Sequence, residues 1–193
     1  MLPTLPESSG RSVLIGVDGL GGSGKSTYAL KLLQSLKSAY LFHLDDLIHP
    51  EKVRYNAEHE EWFCYYQLQW RYEYLNSELL TPLKNGLEVK RTLELYDKET
   101  DSYSEQEIEI PLGSTVIIEG VFLQRPELRP YFDYVIYLDV NRQTRLSRVL
   151  ERDTYIGSRE KIIDKYEHRY FPAEEIYMRE CNPLLLADYI QKA

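Results

Sequence analysis

Gly19-Leu20-Gly21-Gly22-Ser23-Gly24-Lys25-Ser26 decides the reading of this chain. The stretch matches the pattern G-x-x-x-x-G-K-[ST] in full. Ahead of it, Val13-Leu14-Ile15-Gly16-Val17 is a continuous apolar run, as expected of a strand buried on both faces of a parallel sheet. Behind it, the span from Ser26 to Ser38 carries Ala29, Leu32, Leu33 and Leu36, one apolar stripe of a helix. Strand, glycine-rich loop and helix stand in the order of a phosphate-binding loop. Glycines let the backbone turn tightly and aim N–H groups inward, and the helix N-terminus adds partial positive charge. Gly19, Gly21, Gly22, Ser23 and Gly24 are the expected cradle, and Thr27 completes the nucleotide-binding set. Lys25 supplies a cation for the β- and γ-phosphates, and the Ser26 hydroxyl is a candidate Mg²⁺ ligand. The alternative is a glycine-rich turn before an ordinary helix, against which the Lys-Ser pair at the right offset argues.

Outward from the loop, Tyr40 to Leu44 reads as the second strand, ending in Asp45-Asp46. Residues 58–84 are rich in aromatics and leucines and predict one or two helices, stopped by Asn85-Gly86. Leu87, Val89, Leu93 and Leu95 then alternate, as do Ile108 and Ile110, so a β-hairpin insertion is expected over about 87–110. Val116–Ile118 and Tyr134–Leu138 predict two more buried strands, followed by Glu119 and Asp139. Arg142–Arg152 and Lys161–Phe171 predict helices, Pro172 and Pro183 punctuate, and Ala187–Ile190 is the last candidate strand. The alternation implies an α/β fold of the P-loop NTPase kind: a mostly parallel sheet with helices on both faces, plus the hairpin insertion. A single domain is expected over residues 1–193.

Ligands of open α/β sheets bind at the carboxyl ends of the strands, where this sequence places acids. Phosphoryl transfer needs one carboxylate to accept the attacking hydroxyl's proton and another to hold Mg²⁺ or its waters. Asp45 suits the first task and Glu119 the second, while Asp45 or Asp46 as a helix cap and Asp139 as a salt-bridge partner are structural alternatives. Arg142, Arg145, Arg148 and Arg152 recur at helical spacing and share one face. Over a phosphate-binding loop such a face is a lid, about 142–159, with Arg145 and Arg148 facing the transferring group and Arg152 the nucleotide; a solvated, acid-paired face is the alternative.

Composition excludes several classes. Lys+Arg 23 against Asp+Glu 31 gives a net charge of −8, which argues against broad nucleic-acid binding. No apolar run approaches the roughly 20 residues of a membrane-spanning helix, and MLPTLPESSG has neither region of a signal peptide. Cys64 and Cys181 are far apart, fitting free thiols and a cytoplasmic setting. The four histidines are scattered without a metal-ligand spacing, so surface or supporting roles are expected. The outlier is tyrosine: 17 beside 5 Phe and 2 Trp, an apolar body with a polar tip suited to half-buried and pocket-lining positions.

Taken together, Ile15-Gly-Val-Asp-Gly-Leu-Gly-Gly-Ser-Gly-Lys-Ser-Thr27, Asp45, Tyr96-Asp97, Ile117-Ile-Glu-Gly-Val-Phe122, Thr144–Asp153 and Ala187-Asp-Tyr-Ile190 resemble the uridine kinase family of P-loop kinases. The resemblance implies ATP and Mg²⁺ as cofactors, Asp45 as catalytic base, and a hydroxyl of a small molecule, a nucleoside or related metabolite, as phosphate acceptor. The family's acceptor stretch has no clean counterpart here; Tyr65-Tyr-Gln-Leu-Gln-Trp-Arg71 stands roughly in its place. Tyr96, Tyr65, Tyr66, Trp62 and Trp70 are therefore the acceptor-pocket candidates, with hydrophobic core as their alternative. A nucleotide-binding regulatory module of the same fold, without kinase activity, is the competing function. A GTPase switch is disfavoured by the absence of Asn-Lys-x-Asp. Neither a nucleic-acid nor a membrane partner is expected, and a homo-oligomer is left open.

Overall fold

The computed structural model describes residues 2–8 and 10–192; Met1, Ser9 and Ala193, at the margins of the 1–193 domain expectation, lie outside the described residues. Strand β1 (Val13–Gly19) leads through the glycine loop into α1 (Lys25–Gln34). Strand β2 (Ala39–His43) runs into a 3-10 turn at Leu44–Asp46. Short helices follow: α2 (Glu51–Arg54), α3 (Glu61–Phe63), α4 (Tyr72–Leu75) and α5 (Thr81–Lys84), with π-helical turns at Cys64–Leu68 and Asn76–Leu80. The hairpin is β3 (Val89–Asp97) and β4 (Ser102–Ile110), an antiparallel pair standing apart from the main sheet. Then come β5 (Thr115–Gly120), β6 (Tyr134–Asp139), α6 (Arg142–Arg152), α7 (Arg159–Lys165), α8 (Phe171–Cys181), α9 (Pro183–Leu186) and β7 (Tyr189–Lys192).

Five strands make one parallel sheet in the order β2-β5-β1-β6-β7. Alternate residues of each strand face opposite sides, and both sides are apolar. Val13, Ile15, Val17, Ile117 and Ile136 pack on Ala29 and Leu32 of α1. Leu14, Val116, Ile118, Val135 and Tyr137 join Tyr65, Tyr66, Trp70, Phe122 and Tyr177 in a larger core on the other side. The chain diverges from β1 to one side through β5 and β2, and to the other through β6 and β7. Its switch point is therefore β1, whose carboxyl end carries the glycine loop.

The aromatic segment 58–84 forms two helical stretches, 61–68 and 72–84, within the expected one or two. They are separated at Gln69–Arg71, where the backbone is diverted to the loop after Asp46: His49 N–H donates to Gln69 O at 2.8 Å, Arg71 N–H donates to Leu47 O at 2.9 Å, and Ile48 bridges Trp70. Two expectations need correction. Pro172 does not stop a helix. It follows a π-helical turn at Tyr166–Tyr170 and lies in the first turn of α8, where the wider turn accommodates a residue without an N–H. The last strand starts at Tyr189 rather than Ala187.

Candidate functional site

The glycines of the loop are demanded by its shape. Gly22 has φ +78°, and a Cβ there would lie 2.8 Å from both Arg145 O and Val149 Cγ1. Gly24, at φ +92°, begins α1 with no side-chain cap and no acid in the first turn, so the leading N–H groups of α1 have no side-chain partner. Ser23 Oγ is buried without a hydrogen bond, whereas Ser26 and Thr27 are exposed. An uncapped helix N-terminus, an orphaned hydroxyl and a loop with no room for a side chain at Gly22 fit a bound triphosphate.

Lys25 Nζ has one hydrogen bond, to Leu20 O at 3.2 Å. Enclosure by protein lowers its pKa, against the pull of Glu119, Asp45, Asp18 and Glu174. At the end of β5, Glu119 is 7% exposed in its side chain and accepts on Oε1 from Ser26 Oγ at 2.9 Å and from His43 Nδ1 at 2.6 Å. Burial alone would raise its carboxyl; the His43 bond, the Lys25 charge and the Ser26 bond hold it below the usual range. Asp45 lies on the turn after β2, open to solvent on one side. Protein around its other sides, then the charge of Glu119, raises its pKa. Gly120 lets this turn approach: a Cβ there would sit 2.5 Å from Leu44 Cβ. Among the described residues no three His, Cys, Asp or Glu side chains cluster as a metal cage. The fit to Mg²⁺ rests on Ser26 and Glu119, with phosphate oxygens and water completing the shell.

The arginines of α6 separate. Arg145 is 5% exposed and pairs with Glu174 of α8 at 2.9 Å, itself 3% exposed. Arg145 also donates to Gly21 O at 2.9 Å, and Glu174 accepts the Gly21 N–H at 2.8 Å. The expected lid role for Arg145 is thus replaced by a clamp that holds the loop from behind. Arg148 is exposed and reaches the loop carbonyls of Ser23 and Gly22 at 3.3 and 3.4 Å. Arg152 is exposed and paired with Asp153 at 2.6 Å, and its charge acts on Asp45.

The acceptor candidates also separate. Tyr65, Tyr66 and Trp70 all belong to the core; Tyr66 O–H faces Glu180 at 3.4 Å. Trp62 is half-buried and donates its indole N–H to Glu60. Tyr96 O–H accepts from Arg54 at 2.6 Å and donates to Asp101 at 2.9 Å, pinning the hairpin to α2. Tyr65 is buried against Trp70, Phe122 and Tyr170; burial, and next the charge of Asp45, pushes its phenol well up.

Three residues escaped the sequence reading of the site. Asp18 is fully buried beneath the loop, accepting from Gly19 N–H at 2.8 Å, Gln124 Nε2 at 3.0 Å and Tyr177 O–H. Its signal was a charge inside an apolar strand. His43 and Glu119 are register partners, visible only once β2 and β5 are paired. Glu174 carries no local signal, being 153 residues from the glycine it holds.

The sequence profile of the Phosphoribulokinase / Uridine kinase family matches residues 14–183. A uridine kinase of Clostridium botulinum (strain Okra / Type B1) is 29% identical over 171 residues, covering 83% of this chain and 77% of its own. A uridine kinase of Staphylococcus aureus (strain JH9) is 29% identical over 167 residues, covering 80% and 76%. Among solved structures, a possible uridine kinase from Bacillus stearothermophilus superposes with a TM-score of 0.79 at 37% identity, over 96% of this chain and 90% of that one.

Proposed function

This chain belongs to the phosphoribulokinase / uridine kinase family, and from that premise we propose how its cleft works. The protein is an ATP-dependent kinase that transfers a phosphoryl group to a hydroxyl of a small molecule, a nucleoside or related metabolite. The reading is carried by one observation: at the carboxyl ends of β1, β5 and β2, Ser26 is bonded to Glu119, and the charges of Glu119 and Asp45 both act on Lys25. The N–H groups of the loop and of the start of α1, with Lys25, bind the phosphates. Ser26 and Glu119 would hold Mg²⁺, which would supply neutralisation of phosphate charge. Asp45 takes the proton of the acceptor hydroxyl as its oxygen forms the new P–O bond and the bond to the ADP oxygen breaks. Its raised pKa suits a base that must receive a proton. Arg148 and Arg152 screen charge on the transferring group from the lid side, and Arg145 keeps the loop in shape behind it. On the acceptor side, Tyr65, buried in the same core as Tyr66 and Trp70, is the one of the three on which the charge of Asp45 acts.

The acceptor is a small molecule rather than a nucleic acid, given the net charge of −8. Among the described residues no helix is long and apolar enough to cross a membrane, and Cys64 and Cys181 are free and buried. We read the protein as cytoplasmic. Asp45→Asn is expected to keep ATP binding and lose acceptor-dependent ADP release by roughly 10²–10⁴-fold, the usual contribution of a general base. Turnover near the wild-type rate in that variant would sink the assignment.

A further inference from the structure

His43 closes β2 at the position opposite Glu119, and its Nδ1 lies 2.6 Å from Glu119 Oε1. Ser26 Oγ donates to the same oxygen. The two contacts converge on Oε1, and Oε2 carries no hydrogen bond among the described residues. They differ in origin. Ser26 belongs to the phosphate loop and is the hydroxyl that Mg²⁺ would engage, so its hold on Glu119 depends on the state of the loop. His43 reaches the carboxylate from the edge strand, and its side chain's one hydrogen bond among the described residues is to Glu119. A glutamate side chain has three rotatable bonds, and one donor outside the loop is what selects a single orientation of its carboxylate. Partners of this kind orient the groups that hold a metal, and removing them typically weakens metal affinity or activity by 10–100-fold.

We propose that His43 is a positioning residue: its Nδ1–H anchors Glu119 Oε1, so that Oε2 stays available to the hydrated Mg²⁺ of the nucleotide complex. The inference rests on the reading of Glu119 given above. Donation to the carboxylate requires a proton on Nδ1.

The test compares wild type, His43→Ala, His43→Asn and Glu119→Gln as full-length proteins. ATP binding is measured calorimetrically across a Mg²⁺ titration and in its absence, together with thermal melts and the Mg²⁺ dependence of turnover. His43→Ala is expected to need roughly 10–100-fold more Mg²⁺ for half-maximal ATP binding and turnover, with Mg²⁺-free ATP binding unchanged and a folded protein in the melts. His43→Asn carries an amide N–H near the place of Nδ1 and is expected to recover most of the loss. An unchanged Mg²⁺ requirement in His43→Ala, beside a raised one in Glu119→Gln, overturns the role of His43. So does equal loss in the Asn and Ala variants, or a loss that persists without Mg²⁺. If Glu119→Gln itself leaves the Mg²⁺ requirement unchanged, the reading of Glu119 fails first.

Discussion

Arg145 and Arg148 lie one turn apart on α6 and do different things. Arg145 meets Glu174 in a buried pair around Gly21, whereas Arg148 lies exposed beside Ser23 and Gly24. Removing one partner of a buried pair leaves an uncompensated charge, at a cost of about 3–5 kcal/mol. Arg145→Met is therefore expected to lower the unfolding free energy by that order, read by urea denaturation. Arg148→Met should denature like wild type and bind ATP more weakly, read by titration. Similar denaturation curves for the two variants would count against the division of labour. Helical spacing grouped the arginines on one face, but periodicity says nothing of what covers that face. Here α8 covers Arg145, and its acid lies too far along the chain for any local pattern to reveal.

At the scale of elements, the turn Leu44–Asp46 governs where Asp45 stands. It is held on one side by contact with Gly120 of β5, and the residues that follow it, Leu47 and His49, are held by backbone bonds with the segment around Trp70. Gly120→Ala would force the turn away from the sheet, since the new Cβ would overlap Leu44. A loss of about 1–3 kcal/mol is expected from overpacking, with a larger proportional fall in turnover than in ATP binding. Denaturation together with ATP and acceptor kinetics checks this, and turnover matching wild type would refute it. The buried strands and the loop were legible because period and motif are local properties. Val13–Val17 and Tyr134–Leu138 became strands, and Arg142–Arg152 became α6 with the expected ends. The helices of the aromatic segment were legible too, but not their break at Gln69–Arg71, which is imposed by pairing with residues 47–49 rather than by any turn residue of its own.

Across the whole molecule, Asp133 ties distant parts together, accepting from Arg11 at 2.7 and 2.8 Å, from Lys84 Nζ at 2.8 Å and from Leu14 N–H at 2.9 Å. Burial would raise its carboxyl, but the Arg11, Leu14 and Lys84 hydrogen bonds hold it well below the usual range. The folded state is thereby favoured above the unfolded carboxyl's pKa of about 3.9, and that contribution is lost as pH falls from there toward the folded value. Asp133→Asn should be less stable at neutral pH and decline less steeply on acidification. Urea midpoints between pH 7 and pH 3 measure it, and parallel declines would contradict it. The acidic composition, informative about the class of partner, was silent about this knot. A last consequence concerns the order of assembly. The phosphate-binding sequence is complete by Thr27, yet β1 pairs only with β5 and β6, whose partner residues begin at Thr115 and Tyr134. During synthesis the loop must wait for most of the chain, and such non-local pairing folds slowly. A nascent fragment ending before Thr115 has the whole motif and none of the strand partners that shape it.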